Sequence, residues 1–286
     1  MFGRAARRAV KDILRAAPAP IRDRSSRTVL RAYERYLGAK KARTEVPLFD
    51  RGLPVPPPGL RATVVWHTDP AKFLDSGRRD NQMMRESLGR AGRAASELRV
   101  ILDWGCGCGR LARWWSDIPE AEVRGCDYNR ELVEWVDSNL PCVSGTPNEL
   151  GPPLPYKSET FDFVYAISVF THLDDDLAGT WLAEIRRVLK PGGFFFFTSH
   201  GAAYRDHLTG EEARRFDAGR SVVHFASIEG TNLCGSYWPR QWVQEFVARA
   251  GLELADVVEA HALGEEARAS FPQDRYLVRK PQPVVS

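Results

Sequence analysis

Val100 to Gly109, VILDWGCGCG, is the stretch that decides the fold. It opens as a short apolar run, reaches Asp103, and then alternates glycine with other residues at Gly105, Gly107 and Gly109. A run of this length that ends in glycine reads as a buried strand entering a tight turn. Glycine permits positive φ and lets a ligand approach the backbone closely. Further short apolar runs lie at Glu122–Asp127 (EVRGCD), Phe161–Val169 (FDFVYAISV) and Gly193–Ser199 (GFFFFTS). Leu111–Trp115, Arg130–Leu140 and Leu177–Leu189 read as helices between them. Strands alternating with helices predict a parallel sheet covered on both faces. Such sheets hold ligands beyond the carboxyl ends of their strands, where strand order reverses. The residues that carry chemistry are therefore expected just after each strand.

Two ligand classes use a loop of this kind. Gly107–Ala112 (GCGRLA) fits GxGxxA, so the glycines alone admit a dinucleotide. The charge beside them helps to discriminate. Asp103 directly precedes the first glycine turn, where a carboxylate repels a pyrophosphate. It suits a ligand with a cationic amino-acid head, such as S-adenosylmethionine. Asp127 ends the second run, 18 residues past Gly109. An acid there can accept both hydroxyls of an adenosine ribose, which fits S-adenosylmethionine and NAD alike.

Five motifs together resemble the class I S-adenosylmethionine-dependent methyltransferases. They are Val100–Gly109, Gly125–Asn129 (GCDYN), Leu154–Tyr156 (LPY), Phe161–Leu173 (FDFVYAISVFTHL) and Arg187–Gly193 (RVLKPGG). The likeness runs from about Val100 to Lys280. Pro56–Leu60 (PPPGL) and Ser76–Gln82 (SGRRDNQ) are similar to bacterial methyltransferases that modify glycans and natural products. The resemblance implies a three-layer, Rossmann-like α/β fold with a seven-stranded, mostly parallel sheet and an antiparallel last strand. Leu252–Val258 and Asp274–Arg279 are similar to its final two strands. It implies that Asp103, Gly105 and Gly107 hold the methionine part of the cofactor. Asp127 would bind the ribose, with Tyr128 beside the adenine. Asn148 or Glu149 would meet the adenine edge, and Ser168 would complete the cofactor site. The implied product is S-adenosylhomocysteine.

The implied reaction is methylation of a hydroxyl on a small molecule, sugar or glycan. N-methylation of a small molecule, or cofactor binding without transfer, are the alternatives. A hydroxyl acceptor gains from a general base. His200 follows the Phe194–Phe197 run, and His172 follows Phe161–Val169 just before Asp174, Asp175 and Asp176. Both lie where acceptors bind in such sheets, and both are candidate bases. The acidic run is read as the negative first turn of a helix rather than a metal site, and no metal is expected. Residues 201–250 interrupt the alternation with Tyr204, Arg205, His207, Arg214, Arg215, His224, Tyr237 and Trp238, a mixture suited to covering an acceptor.

The chain has 286 residues, 43% hydrophobic and 27% charged, which excludes a disordered or fibrous protein. No apolar run approaches the ~18 residues of a membrane span. The five cysteines are odd in number and irregular in spacing, as expected of reduced thiols in a cytoplasm. Cys106 and Cys108 lack the second ligand pair that a zinc site needs. The net charge of +3 hides an asymmetry. Residues 1–45 carry 13 Lys/Arg against 4 Asp/Glu, a balance of +9, and the rest of the chain balances at −6. Phe2, Val10, Ile13 and Leu14 fall at roughly helical spacing among these cations. Such an arm suits packing on the body or contact with an anionic membrane surface, and nucleic acid less well. The expected organisation is a basic helical arm over 1–46, a Pro-rich linker and helical cap over 47–98, and the binding domain over 99–286. The expected location is the cytoplasm, with peripheral contact at the inner membrane surface. Oligomeric state leaves no signal in the sequence.

Overall fold

The computed structural model describes residues 47–65, 67–224 and 234–283. The basic arm lies outside the described residues. The chain enters through a small hairpin, β1 (Phe49–Asp50) and β2 (Leu53–Pro54). The cap follows as α1 (Pro58–Val65) and α2 (Pro70–Arg90). Asp69 caps α2 by accepting from the Ala71 and Lys72 amides, and Pro70 starts the helix where its missing N–H costs nothing.

The body contains β3 (Val100–Trp104), β4 (Glu122–Asp127), α3 (Arg130–Asn139), β5 (Ser144–Pro147) and β6 (Phe161–Ala166). Then come α4 (Asp175–Val188) and β7 (Leu189–Ser199). An excursion follows, with α5 (Gly210–Asp217), β8 (Val222–His224) and β9 (Gly235–Tyr237). The body closes with α6 (Arg240–Arg249), β10 (Glu253–Val258), α7 (Glu265–Ser270) and β11 (Asp274–Arg279). The sheet order is β10-β11-β7-β6-β3-β4-β5. β3 to β7 pair in parallel, and β11 runs antiparallel to both neighbours. This is the Rossmann-like, seven-stranded sheet that the resemblance implies. Strand order reverses between β3 and β6, the place where open sheets of this kind hold ligands.

Side chains alternate across a strand, and here both faces are covered. Phe195 and Phe197 enter one core with Leu102, Val164, Trp181 and Tyr276. Phe194 and Phe196 enter the other with Ile101, Phe163, Trp115 and Leu277. The four consecutive phenylalanines are therefore divided between two layers. Each buried ring contributes roughly 1.5–3 kcal/mol.

Three local expectations change. Leu111–Trp115 does not form an α-helix; Ala112–Asp117 is a 3-10 segment with Trp114 N bonded to Leu111 O at 3.0 Å. The tight turn follows from Gly109 at φ 74° and from Arg113, whose Nη2 is drawn to the Leu53 carbonyl at 3.2 Å. The strand expected over 161–169 stops at Ala166, because Ser168 is left-handed at φ 61°. Finally, α6 lies within the span 201–250, yet its Val243, Phe246 and Val247 sit in the first core beside Trp238.

Candidate functional site

The glycine loop leaves β3 with Gly105, Gly107 and Gly109 at φ 80°, 53° and 74°. These left-handed values are what glycine tolerates and other residues resist. The Gly105 and Cys106 amides both donate to the Cys126 carbonyl, at 2.8 and 3.0 Å, which pins the loop to the end of β4. Gly107 N donates to Asp127 Oδ2 at 3.0 Å, and Asn129 N to Oδ1 at 2.9 Å. A carboxylate has about four lone-pair directions, so Asp127 keeps acceptor capacity for further donors. Burial pushes its carboxyl above the ordinary value, and the backbone amides partly hold it down.

Asp103 lies wholly buried at the end of β3. Burial pushes its carboxyl up to about 7, while the Tyr165 hydroxyl and the Arg110 guanidinium pull the other way. Its Oδ2 is a buried acceptor with no hydrogen-bond partner among the described residues. An orphaned buried acceptor costs free energy until a donor arrives. An ammonium group is a donor of the right sign. Tyr128 follows Asp127 with half its surface exposed, at 50%. Asn148 N bonds to the Asp127 carbonyl at 3.1 Å, and Asn148 Oδ1 is buried without a partner among the described residues. Glu149 points away, its side chain 85% exposed beside Arg130 at 3.4 Å. Of the two adenine-edge candidates, Asn148 is the one turned inward. These groups fit an amino-acid nucleoside: a buried acceptor for its amine, an acid for its ribose, and an amide for its base.

The second group forms across the crevice, at the ends of β6, β7 and β11. Ser168 N donates to Thr198 Oγ1 at 2.8 Å. Gln273 ties the two together: its Oε1 accepts from Thr198 Oγ1 at 2.6 Å, and its Nε2 donates to Ser168 Oγ at 2.8 Å. His200 Nδ1 lies 3.1 Å from the Ser236 carbonyl, and His172 Nδ1 lies 2.9 Å from the Cys234 carbonyl. Each Nδ1 faces a carbonyl and therefore carries the proton, so Nε2 is the basic nitrogen. The ring of His200 lies 4.2 Å from Tyr204 and 5.2 Å from Tyr237.

The acids after His172 have other duties. Asp174 caps α4 by accepting from Leu177 N at 2.8 Å. Asp175 accepts from Ser221 Oγ and from Trp238 Nε1. Among the described residues no group of three or more His, Cys, Asp or Glu could hold a metal ion. Cys106 and Cys108 enter different hydrophobic clusters. Burial raises both thiols, with Cys108 pushed up to about 12.

The excursion after β7 divides in a way the sequence did not reveal. Tyr204, His224 and Tyr237 gather near His200, with His224 in turn 3.0 Å from Glu212. Arg205 pairs with Asp217 at the surface, and Arg214 and Arg215 are exposed. Trp238 is a core residue packed on Phe170 and Phe246. Sequence reasoning overlooked Gln273, Thr198, Tyr165 and the pair Asp80–Arg110. Asp80 had a visible signal, since it interrupts the apolar stripe Phe73, Gly77, Met84 and Leu88 of α2. Gln273 had none, because its partners lie 75 and 105 residues away.

Residues 102–197 match a family described as methyltransferase domain. The chain is 34% identical over 105 residues to an uncharacterized methyltransferase of Schizosaccharomyces pombe, covering 33% of this chain and 37% of that protein. It is 29% identical over 136 residues to malonyl-[acyl-carrier protein] O-methyltransferase of Halalkalibacterium halodurans, covering 46% and 45% respectively. The matched region thus spans less than half the length of these curated relatives. In fold, the chain is similar to the 1,6-didemethyltoxoflavin-N1-methyltransferase of Burkholderia thailandensis, a structure with bound S-adenosylhomocysteine. The TM-score is 0.52 at 18% identity, over 83% of this chain and 95% of that one.

Proposed function

We infer, from the premise that residues 102–197 are a methyltransferase domain of the class I, S-adenosylmethionine-dependent type, that this protein moves a methyl group to a hydroxyl of a small molecule, sugar or glycan. The observation that carries the reading is the buried Asp103 Oδ2, without a partner among the described residues and set beside a glycine loop that Asp127 ties down. A dinucleotide would bring its pyrophosphate to the same place, against a carboxylate.

S-adenosylmethionine supplies an activated methyl on a sulfonium whose departure leaves a neutral group. The chain's own task is to bind and align. Asp103, Gly105 and Gly107 hold the amino-acid end, Asp127 the ribose, Tyr128 and Asn148 the base, with Ser168 at the crevice. Alignment of this kind can contribute ~7–11 kcal/mol to the rate. His200 or His172 takes the acceptor proton at Nε2. Two tyrosine rings beside the neutral groups of Ser168, Thr198 and Gln273 suit an uncharged, hydroxyl-bearing ring. Calorimetric titration with S-adenosylmethionine, S-adenosylhomocysteine and NAD tests the reading. Micromolar binding of the two sulfur nucleosides without NAD is the expected result, and binding of NAD alone overturns it.

A peripheral contact with an anionic membrane from the cytoplasmic side is also proposed. Its support is the +9 balance of residues 1–45 and the two exposed apolar residues that follow, Leu48 at 40% and Phe49 at 67%. No helix among the described residues is long and apolar enough to cross a membrane. Vesicles of anionic lipid should bind the full chain and release it at high salt. Equal binding to neutral vesicles would sink the electrostatic account.

A further inference from the structure

The inner stripe of α2 is Phe73, Gly77, Asp80, Met84 and Leu88. A buried charge on such a stripe needs a partner. Asp80 has two: Arg79 reaches Oδ1 at 3.3 Å, and Arg110, the residue after Gly109, donates from Nη1 to Oδ2 at 2.6 Å, with the Asp80 and Arg110 side chains largely buried. The same nitrogen reaches Ser76 Oγ at 3.3 Å. Gly77 lets the helix sit directly on the loop, because a Cβ there would strike the Arg110 carbonyl.

The preceding helix leans on the same loop. Val64 would lie 2.7 Å from a Cβ at Gly107, and the Cys108 thiol donates to the Leu60 carbonyl at 3.7 Å. The far end of α2 is tied elsewhere. Ser87 Oγ and Arg90 donate to Asp256 of β10 at 2.6 to 3.0 Å. Thus one helix is anchored on the glycine loop and on the far edge of the sheet, with Arg85 bonded to Asp117 and the Trp114 carbonyl between them. A buried ion pair is a poor device for stability alone, since desolvation offsets its attraction. Its position is more informative than its strength.

We propose that the cap formed by α1 and α2 is one wall of the cofactor site, and that Arg110, through Asp80, is the positioning residue that holds the glycine loop against it. The proposal rests on the S-adenosylmethionine reading of that loop. Arg110 acts on the cofactor through the loop backbone and through its charge beside Asp103, and Asp80→Asn separates the two because it leaves that charge in place.

Calorimetry of the full chain with S-adenosylhomocysteine tests it. Arg110→Ala should weaken binding at least about tenfold, equivalent to ~1.4 kcal/mol. Asp80→Asn should act in the same direction, and Arg110→Lys should recover part of the loss. Asp256→Asn cuts the other anchor; it should lower Tm and leave the affinity within about twofold. If Arg110→Ala does not fold, hydrogen exchange on the unaltered protein decides: S-adenosylhomocysteine should slow the amides of residues 60–80. Unchanged affinity in both Arg110→Ala and Asp80→Asn, or cap amides indifferent to the nucleoside, overturns the proposal and leaves the cofactor reading intact. An unaltered chain that binds NAD and no sulfur nucleoside removes the cofactor reading itself.

Discussion

The two sides of the crevice are built in different ways. The side at β3 and β4 comes almost entirely from residues 103–129, in which one loop bonds to the next turn. The side at β6, β7 and β11 gathers Ser168, His172, Thr198, His200, Tyr204 and Gln273 from segments up to 105 residues apart. The first side is fixed by local geometry and the second by how the sheet is assembled. In the function proposed above, the first side meets the cofactor and the second the acceptor, where loops can vary without disturbing the sheet.

Substitutions on the two sides should therefore separate cleanly. The largest effect is expected at the histidines. Replacing the operative base, His200→Ala or His172→Ala, should lower kcat by ~100–10,000-fold while leaving S-adenosylhomocysteine affinity unchanged. The readout is product mass with an acceptor found by screening sugars and glycolipids. Full turnover in both variants would remove the base from the mechanism.

Asp103→Asn is the counterpart on the other side. Losing a charge-assisted bond should weaken S-adenosylhomocysteine by roughly 10–150-fold, measured by calorimetry. Its pH dependence sharpens the contrast. With the carboxyl pushed up to about 7, binding of an ammonium should weaken as pH falls below that value. Stability without ligand has the opposite sign. The folded chain holds this proton up to about pH 7, whereas the unfolded chain releases it near pH 4. The contribution is full below about pH 4 and is lost as pH rises through about 7. Arg110, Tyr165, Asp127 and the Ala112 amide face the group, and none of them changes that sign. Asp103→Asn should flatten both curves. An affinity indifferent to pH between about 6 and 8 would show that Asp103 does not meet the amine.

The smallest effect is expected at Gln273. Gln273→Ala leaves Ser168 N bonded to Thr198 Oγ1 and removes only the side-chain bridge between the two hydroxyls. Gln273 bonds both hydroxyls but its loss reaches the acceptor only through them, so the effect is set at the scale of one neutral hydrogen bond, ~0.5–1.5 kcal/mol, and acceptor kcat/KM should fall about 2–10-fold with cofactor affinity unchanged. A loss of cofactor affinity instead would mean that the two sides are one unit.

The same contrast explains what could be read in advance. VILDWGCGCG and the acid at Asp127 were legible because the strand, the turn and the ligand groups are contiguous. The apolar strands were legible because both faces of the sheet are buried. The short strand Ser144–Pro147 was not, since SGTP carries no apolar pattern and is held by pairing to β4. Trp238 looked like an acceptor contact in a polar span, yet it closes the core over Phe170. The Gln273 tie exists only once β11 has been placed beside β7.

That placement bears on how the molecule is made. β11 follows β10 in the chain but lies inside the sheet, between β10 and β7. Until residues 274–279 emerge from the ribosome, β7 presents an open edge carrying Phe194 to Phe197. An unpaired, apolar edge of this kind is a template for pairing with another chain. Pairing across so many residues is also slow. The nascent protein therefore passes through a stage in which its most adhesive strand waits for its last partner, and a chain cut before Asp274 should be recovered as aggregate.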